Sequence, residues 1–115
     1  MQEYNITINK GLTFNETVEI QNDLGVAEDL TGSTFLMQIR DYTFSTDYRL
    51  SATNSNGMLE VTPLLGVINI KLPPVETDKL VITRGYYDLI QTKPTGEKVK
   101  IIYGSVTVLQ TVSRV

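Results

Sequence analysis

Arg84-Gly85-Tyr86-Tyr87-Asp88-Leu89-Ile90-Gln91-Thr92 runs into a turn at Lys93-Pro94-Thr95-Gly96 and returns as Val99-Lys100-Ile101-Ile102-Tyr103-Gly104-Ser105-Val106-Thr107-Val108. Two arms rich in β-branched and aromatic residues around a Pro/Gly turn predict a β-hairpin. On the first arm Tyr87, Leu89 and Gln91 share one face; on the second, Val99, Ile101 and Tyr103 do. Both sets are odd-numbered, so only registers that keep odd opposite odd bring them together. One such register puts Asp88 opposite Lys100 outside and Leu89 opposite Val99 inside. The other sets Leu89 opposite Ile101. Either leaves a loop of about five residues, a common hairpin length. Gly104 interrupts the second arm and predicts a bulge there, before Val106 and Val108 continue the strand.

The period of two recurs upstream. Tyr4, Ile6 and Ile8 alternate with Asn5, Thr7 and Asn9, the pattern of a half-buried strand. After Lys10-Gly11, Leu12, Phe14, Val18 and Ile20 keep even phase; Glu16 breaks the apolar series and predicts a bend or bulge. Asn22-Asp23-Leu24-Gly25 reads as a hairpin turn with Gly25 at positive φ. In Thr34 to Arg40 the inward set is Phe35, Met37 and Ile39, and Leu36 on the other face points to a central or doubly covered strand. Asp41 to Tyr48 has no period and reads as a loop across the top of the sheet. Further strands follow at Tyr48 to Thr53, at Met58 to Thr62 after the turn Asn54-Ser55-Asn56-Gly57, and at Val67 to Leu72, which Pro73-Pro74 ends. Val75 to Ile82 is the one helical pattern, about two turns long, with Leu80 and Val81 as its apolar contacts. Eight or nine short strands with regular turn signals predict an all-β chain: an antiparallel β-sandwich with one short helix at 75–82.

The 115 residues fit one domain, 1–115. The chain holds neither cysteine nor histidine. Disulfides and thiolate metal sites are thereby excluded, and so are Ser-His-Asp, Cys-His and zinc hydrolase schemes. A net charge of −3, with the ten basic residues scattered, argues against a nucleic-acid partner. Lys93, Lys98 and Lys100 read as a solvated hairpin end. No signal peptide is read at Met1-Gln2-Glu3-Tyr4, and no apolar run approaches the ~20 residues of a membrane span.

Candidate sites are few. The loop Asp41-Tyr42-Thr43-Phe44-Ser45-Thr46-Asp47 gathers oxygens that could ligate calcium, but it lacks the EF-hand order, and a plain surface loop explains it. Glu16 and Glu19 fall on opposite faces of one strand and cannot flank one bond. Tyr42, Phe44 and Tyr48 form either a carbohydrate-stacking platform or ordinary rim packing. Asn5-Ile6-Thr7 and Asn15-Glu16-Thr17 are chance glycosylation matches, and the isolated glycines make no phosphate loop. No catalytic residue, metal ligand or cofactor is expected.

A resemblance adds to these readings. Asp29-Leu30-Thr31-Gly32-Ser33-Thr34-Phe35 with Gln38-Ile39-Arg40, Gly66-Val67-Ile68-Asn69-Ile70, Thr77 with Leu80, Gly85-Tyr86-Tyr87-Asp88-Leu89, Gly96, and Gly104-Ser105-Val106-Thr107-Val108 with Val112-Ser113-Arg114 follow one another in an order that resembles small structural proteins of tailed bacteriophages. The resemblance spans residues 29–114. It implies an immunoglobulin-like or baseplate-type sandwich acting by assembly in the tail, baseplate, neck or capsid of a virion, without catalysis. Residues 1–28 lie outside it and read as an extra hairpin, a swapped strand or an assembly arm. The implied partners are further copies of the chain and other virion proteins, with no nucleic acid or membrane. Two edges are candidates for the contact: Tyr4, Ile6 and Ile8 in the first strand, and Val106, Val108, Leu109 and Val112 in the last. The alternative function is a carbohydrate or host-surface binding module built on Tyr42, Phe44 and Tyr48.

Overall fold

The computed structural model of the chain describes residues 2–21 and 24–112. Its strands are β1 (Gln2–Glu3), β2 (Ile6–Asn9), β3 (Phe14–Glu19), β4 (Thr34–Arg40), β5 (Leu50–Thr53), β6 (Leu59–Thr62), β7 (Val67–Leu72), β8 (Arg84–Thr92) and β9 (Lys98–Leu109). They form two sheets. The larger has the order β1-β9-β8-β4-β5, with β2 also on β9, and the smaller has the order β3-β7-β6. All pairings are antiparallel except those of β1 and β2 with β9. In immunoglobulin terms β9, β8, β4 and β5 are strands G, F, C and C′, and β3, β7 and β6 are B, E and D. The chain is therefore an immunoglobulin-like sandwich whose N-terminal strand lies on the last strand.

The alternation read from the sequence fills the core. Phe35, Met37 and Ile39 of β4, Ile68, Ile70 and Leu72 of β7, and Tyr87, Leu89 and Gln91 of β8 are all buried. Burying one such aliphatic side chain contributes about 1.5–3 kcal/mol, and these strands carry most of that gain. No disulfide joins the sheets, since the chain has no cysteine. Tyr87 lies two residues before Leu89, the spacing of a tyrosine corner to the second cysteine of an antibody domain. Its hydroxyl, however, donates to the carbonyl of Tyr4 and so ties the N-terminal strand to the core.

The final hairpin closes as expected through Lys93–Glu97. The Lys93 amide donates to the Glu97 carbonyl (2.8 Å), and Gly96 sits at φ 92°. Its register differs from expectation. Gln91 faces Val99, but beyond a shift between Leu89 and Ile90 the partners are Leu89 with Ile102 and Tyr87 with Gly104. Ile101 is the extra residue, so the bulge lies there and not at Gly104. As a result Ile102, Val106 and Val108 point inward, and Tyr103 turns to the outer face.

Two further expectations are corrected. Glu16 causes no bulge: β3 pairs with β7 without interruption, and Glu16 faces Ile70 in regular phase. Within the first 28 residues β2 and β3 lie in different sheets, and an antiparallel bridge joins Gln21 to Ala27 across the turn that ends at Gly25. The helix is half the expected length, α1 at Pro74–Thr77. Beyond it the chain turns through Lys79 and Leu80, whose amides donate three residues back (both 3.2 Å). Leu80 is thereby buried and Val81 left exposed. Buried Thr77 donates its hydroxyl to the Leu12 carbonyl (2.8 Å) and accepts from the Gly11 amide (3.1 Å), fixing this corner to the β2–β3 turn. β4 is central in its sheet, but its outer face is open and Leu36 is exposed. Gly25 has the expected positive φ of 76°. Asn22, Asp23, Ser113 and Arg114 lie outside the described residues.

Candidate functional site

The outer face of the larger sheet is uncovered, with Leu36 and Tyr86 exposed on it. Neighbouring strands bring Arg40, Arg84, Tyr86, Asp88, Lys100 and Tyr103 around a depression of about 580 Å3. Arg40 is held in place, with Nη1 donating to the Ser45 carbonyl (2.8 Å) and Nη2 to Gln38 Oε1 (2.7 Å). Both acceptors are neutral, so its charge is not compensated by them. Lys100 reaches Asp88 at 3.7 Å and lies 5.8 Å from the centre of the Tyr103 ring. The Asp88–Lys100 contact foreseen in the hairpin thus exists, but it is diagonal: Asp88 pairs across the ladder with Tyr103. Arg84 makes no ion pair among the described residues. The sequence reading missed this face because it placed Tyr103 inward. The available signal was the run of arginine and tyrosine at outward positions of adjacent strands.

Asp41 to Tyr48 is a loop joining β4 to β5, as expected, and it is internally braced. Asp41 accepts two bonds from Arg49, Nε at 2.6 Å and Nη2 at 2.8 Å. Those bonds hold the Asp41 carboxyl below the usual aspartate range. The carboxylate that would lead a calcium site is thus engaged by a guanidinium fork. Among the described residues no three acidic side chains come together. Tyr42 and Phe44 stack on each other, centroids 5.5 Å apart and planes at 12°. Tyr42 lines a depression of about 450 Å3 with Val81, Ile82, Arg84 and Tyr86, whereas Tyr48 lines a different one beside Glu76 and Lys79. The three aromatics make no common platform.

The proposed edge residues divide into two groups. Ile6, Ile8, Val106 and Val108 are buried, and they face one another across the parallel ladder: Ile6 opposite Val106 and Ile8 opposite Val108. The last strand is therefore no edge, since β8 covers one side of it and β1 with β2 the other. Tyr4, Leu109 and Val112 remain exposed. The Tyr4 hydroxyl donates to Glu16 Oε1 (2.9 Å), an acceptor that raises the phenol above its ordinary pKa. The free edge on this side is β1–β2. The amides of Tyr4 and Lys10 both donate to β9, at 2.8 and 2.9 Å. By the alternation of a parallel ladder, the amides of Thr7 and Asn9 point away from it, toward the open edge.

No family model matches the sequence, and no curated protein does. Among solved structures the fold is similar to the "N-terminal domain of phage TP901-1 ORF48". That match has a TM-score of 0.51 at 11% identity and covers 95% of this chain and 99% of that one. A strand-swapped dimer of the immunoglobulin-like domain of mouse leukocyte-associated immunoglobulin-like receptor 1 gives a TM-score of 0.49 at 11% identity, covering 91% of this chain and 88% of that one. At these identities the likeness is one of fold. No helix among the described residues is long and apolar enough to cross a membrane.

Proposed function

We propose that the chain is a non-catalytic structural module of a phage virion, in its tail, baseplate, neck or capsid, working through protein–protein contacts at the β1–β2 edge. The observation that supports this most is the nearly complete mutual coverage with a single domain of a phage protein, taken with the order of motifs in residues 29–114. Chemistry favours assembly over catalysis. The chain has no histidine or cysteine, and no three of the described acidic side chains gather where they could hold a metal ion, so general acid–base and nucleophilic schemes lack their usual groups.

The edge suits the role. β2 offers outward amides at Thr7 and Asn9 to a strand of another chain, while its inward Ile6 and Ile8 stay fixed in the core. Tyr4, just before β2, is exposed beside that edge. The test is quantitative mass spectrometry of gradient-purified particles from cells that make the chain. It should appear at a fixed ratio to the major particle proteins. Recovery only in the particle-free fraction would overturn the reading.

A further inference from the structure

The two outer faces of the sandwich differ in kind. On the smaller sheet the outward positions carry no aromatic ring, and their polar groups satisfy one another: Thr17 donates to Asn69 (3.3 Å) and Lys71 to Glu60 (3.1 Å). On the larger sheet they line the depression of about 580 Å3, a size typical of small-molecule sites. Two rows of the ladder cross it. One sets Gln38, Asp88, Tyr103 and Glu3 opposite one another, and the next sets Arg40, Tyr86 and Ser105. Arg84 precedes Tyr86 by two residues on the same face and is therefore diagonal to Arg40, about 7–8 Å away and within reach of long side chains. Tyr86 adjoins both arginines.

These groups keep unused bonding capacity. The Arg84 side chain makes neither an ion pair nor a hydrogen bond among the described residues. Arg40 gives only two of its N–H groups to the neutral acceptors Ser45 and Gln38, and a guanidinium has five. The acids of the neighbouring loop do not neutralise this pair. Asp41 shares the adjoining depression with Arg84 but is bound twice by Arg49, and the charge of Asp47 also acts on Arg49. Asp88 meets a cation only at 3.7 Å, and the hydroxyls of Tyr86 and Tyr103 have no hydrogen bond among the described residues. Counting Lys100 and Glu3, the lining holds three cations and two carboxylates, one positive charge in excess on a chain whose net charge is −3.

We propose that this depression binds a saccharide bearing a single anionic group, a carboxylate or a phosphate. The anionic group sits between Arg40 and Arg84, whose planar N–H forks match either chemistry. The sugar ring lies on Tyr86, which offers an apolar face with a polar tip. Hydroxyls then reach the second row, where Asp88 accepts and Lys100 and Tyr103 donate. The mixed charge decides the class. One anionic group balances the excess positive charge, whereas a polyanion would also face Asp88 and Glu3, and a neutral sugar would leave the guanidiniums unpaired. The site uses neither the outward amides of β2 nor the aromatics Phe44 and Tyr48, and it holds for any location of the chain.

The test is amide chemical-shift mapping on the purified, isotope-labelled chain. Sialyllactose supplies the carboxylate and glucosyl phosphate the phosphate, each compared with its neutral parent, lactose or glucose, and inorganic phosphate serves as the anion alone. At least one acidic sugar should shift the amides of residues 84–88 and 103–105 saturably and bind about tenfold or more tighter than its neutral parent, as a hydrogen bond to a charged group provides. The arm that responds identifies the source of the anionic group. Arg84→Gln should remove the preference for the acidic sugar. Tyr86→Ala should weaken that sugar by about threefold or more while leaving inorganic phosphate unchanged, because it removes the ring surface and keeps the cations. Both residues are exposed, and unchanged amide positions in the rest of the chain check that the variants fold. Four results overturn the proposal. The first is no shift of these amides by either acidic sugar at ~10 mM, where a contact ten times weaker than millimolar is half-populated. The second is a neutral parent that binds as tightly as its acidic counterpart. The third is inorganic phosphate that matches the acidic sugars with no effect of Tyr86→Ala, which marks an adventitious ion only. The fourth is adenosine monophosphate binding more tightly than either acidic sugar, which assigns the face to nucleotides.

Discussion

Gly104 shows how one residue sets where a strand can lie. Its φ is not in the left-handed range, so the glycine is required by space and not by backbone conformation. A Cβ there would press on the Tyr4 carbonyl oxygen and sit 2.8 Å from the Tyr4 carbonyl carbon and 2.9 Å from Asn5 Oδ1. Those are the atoms where the N-terminal strand steps between β1 and β2, and Asn5 Oδ1 also accepts the Ser105 amide (2.9 Å). Gly104→Ala should cost about 1–3 kcal/mol in urea unfolding, because backbone must shift to admit the methyl. Tyr87 holds the same strand from beneath. Tyr87→Phe keeps the packing but leaves the Tyr4 carbonyl without this donor, at about 1–2 kcal/mol. Burial is the main cause that raises the Tyr87 phenol above its ordinary value, and the nearby Tyr4 and Glu16 add to it. A raised folded pKa gives stability that is complete below the unfolded value near 10 and is lost as pH climbs above it. The wild type should therefore lose stability above about pH 10 more steeply than Tyr87→Phe in the same titration.

Elements with a strict period of two were legible in the sequence, and departures from it were not. The inward sets of β4, β7 and β8 follow directly from alternation, because each is flanked by strands on both sides and has one face in the core. β9 misled at Ile101. An extra residue changes the parity of everything after it, and apolar Ile101-Ile102 gives no sign of which isoleucine is the extra one. Deleting Ile101 should therefore leave the even-numbered inward set of β9 in place. We expect a folded chain with native amide protection in β8 and β9, weakened by about 1–2 kcal/mol for the lost part-buried side chain. Global loss of protection would contradict the register. The parallel pairing of β2 with β9 was also illegible, since the partners are separated by most of the chain and no local turn announces them. That pairing relocates the candidate edge from Val106–Val112 to Thr7 and Asn9. Thr7→Pro removes an outward amide without breaking a ladder bond. It should shift the urea midpoint little, and it should abolish incorporation of the chain into particles.

At the scale of the whole molecule, the absence of histidine and cysteine narrowed the function further than any motif did. What composition could not show was the distribution of charge and apolar surface. Arg84 and Tyr103 acquire neighbours only when β4, β8 and β9 align, and Ile20 and Glu28 come together only where their backbones close on Gly66. The Gly66 position admits no side chain, because a Cβ would stand 2.7 Å from the Ile20 carbonyl oxygen and 2.9 Å from that of Glu28. The central claim is that this sandwich acts as an assembled part, through its N-terminal edge. Amine cross-linking of intact purified particles, followed by mass spectrometry, tests it most directly, because Lys10 stands at the end of β2. The account predicts cross-links from Lys10 to another protein chain of the particle, lost in Thr7→Pro. Particles in which the chain is present but Lys10 links only to residues of its own chain would contradict it.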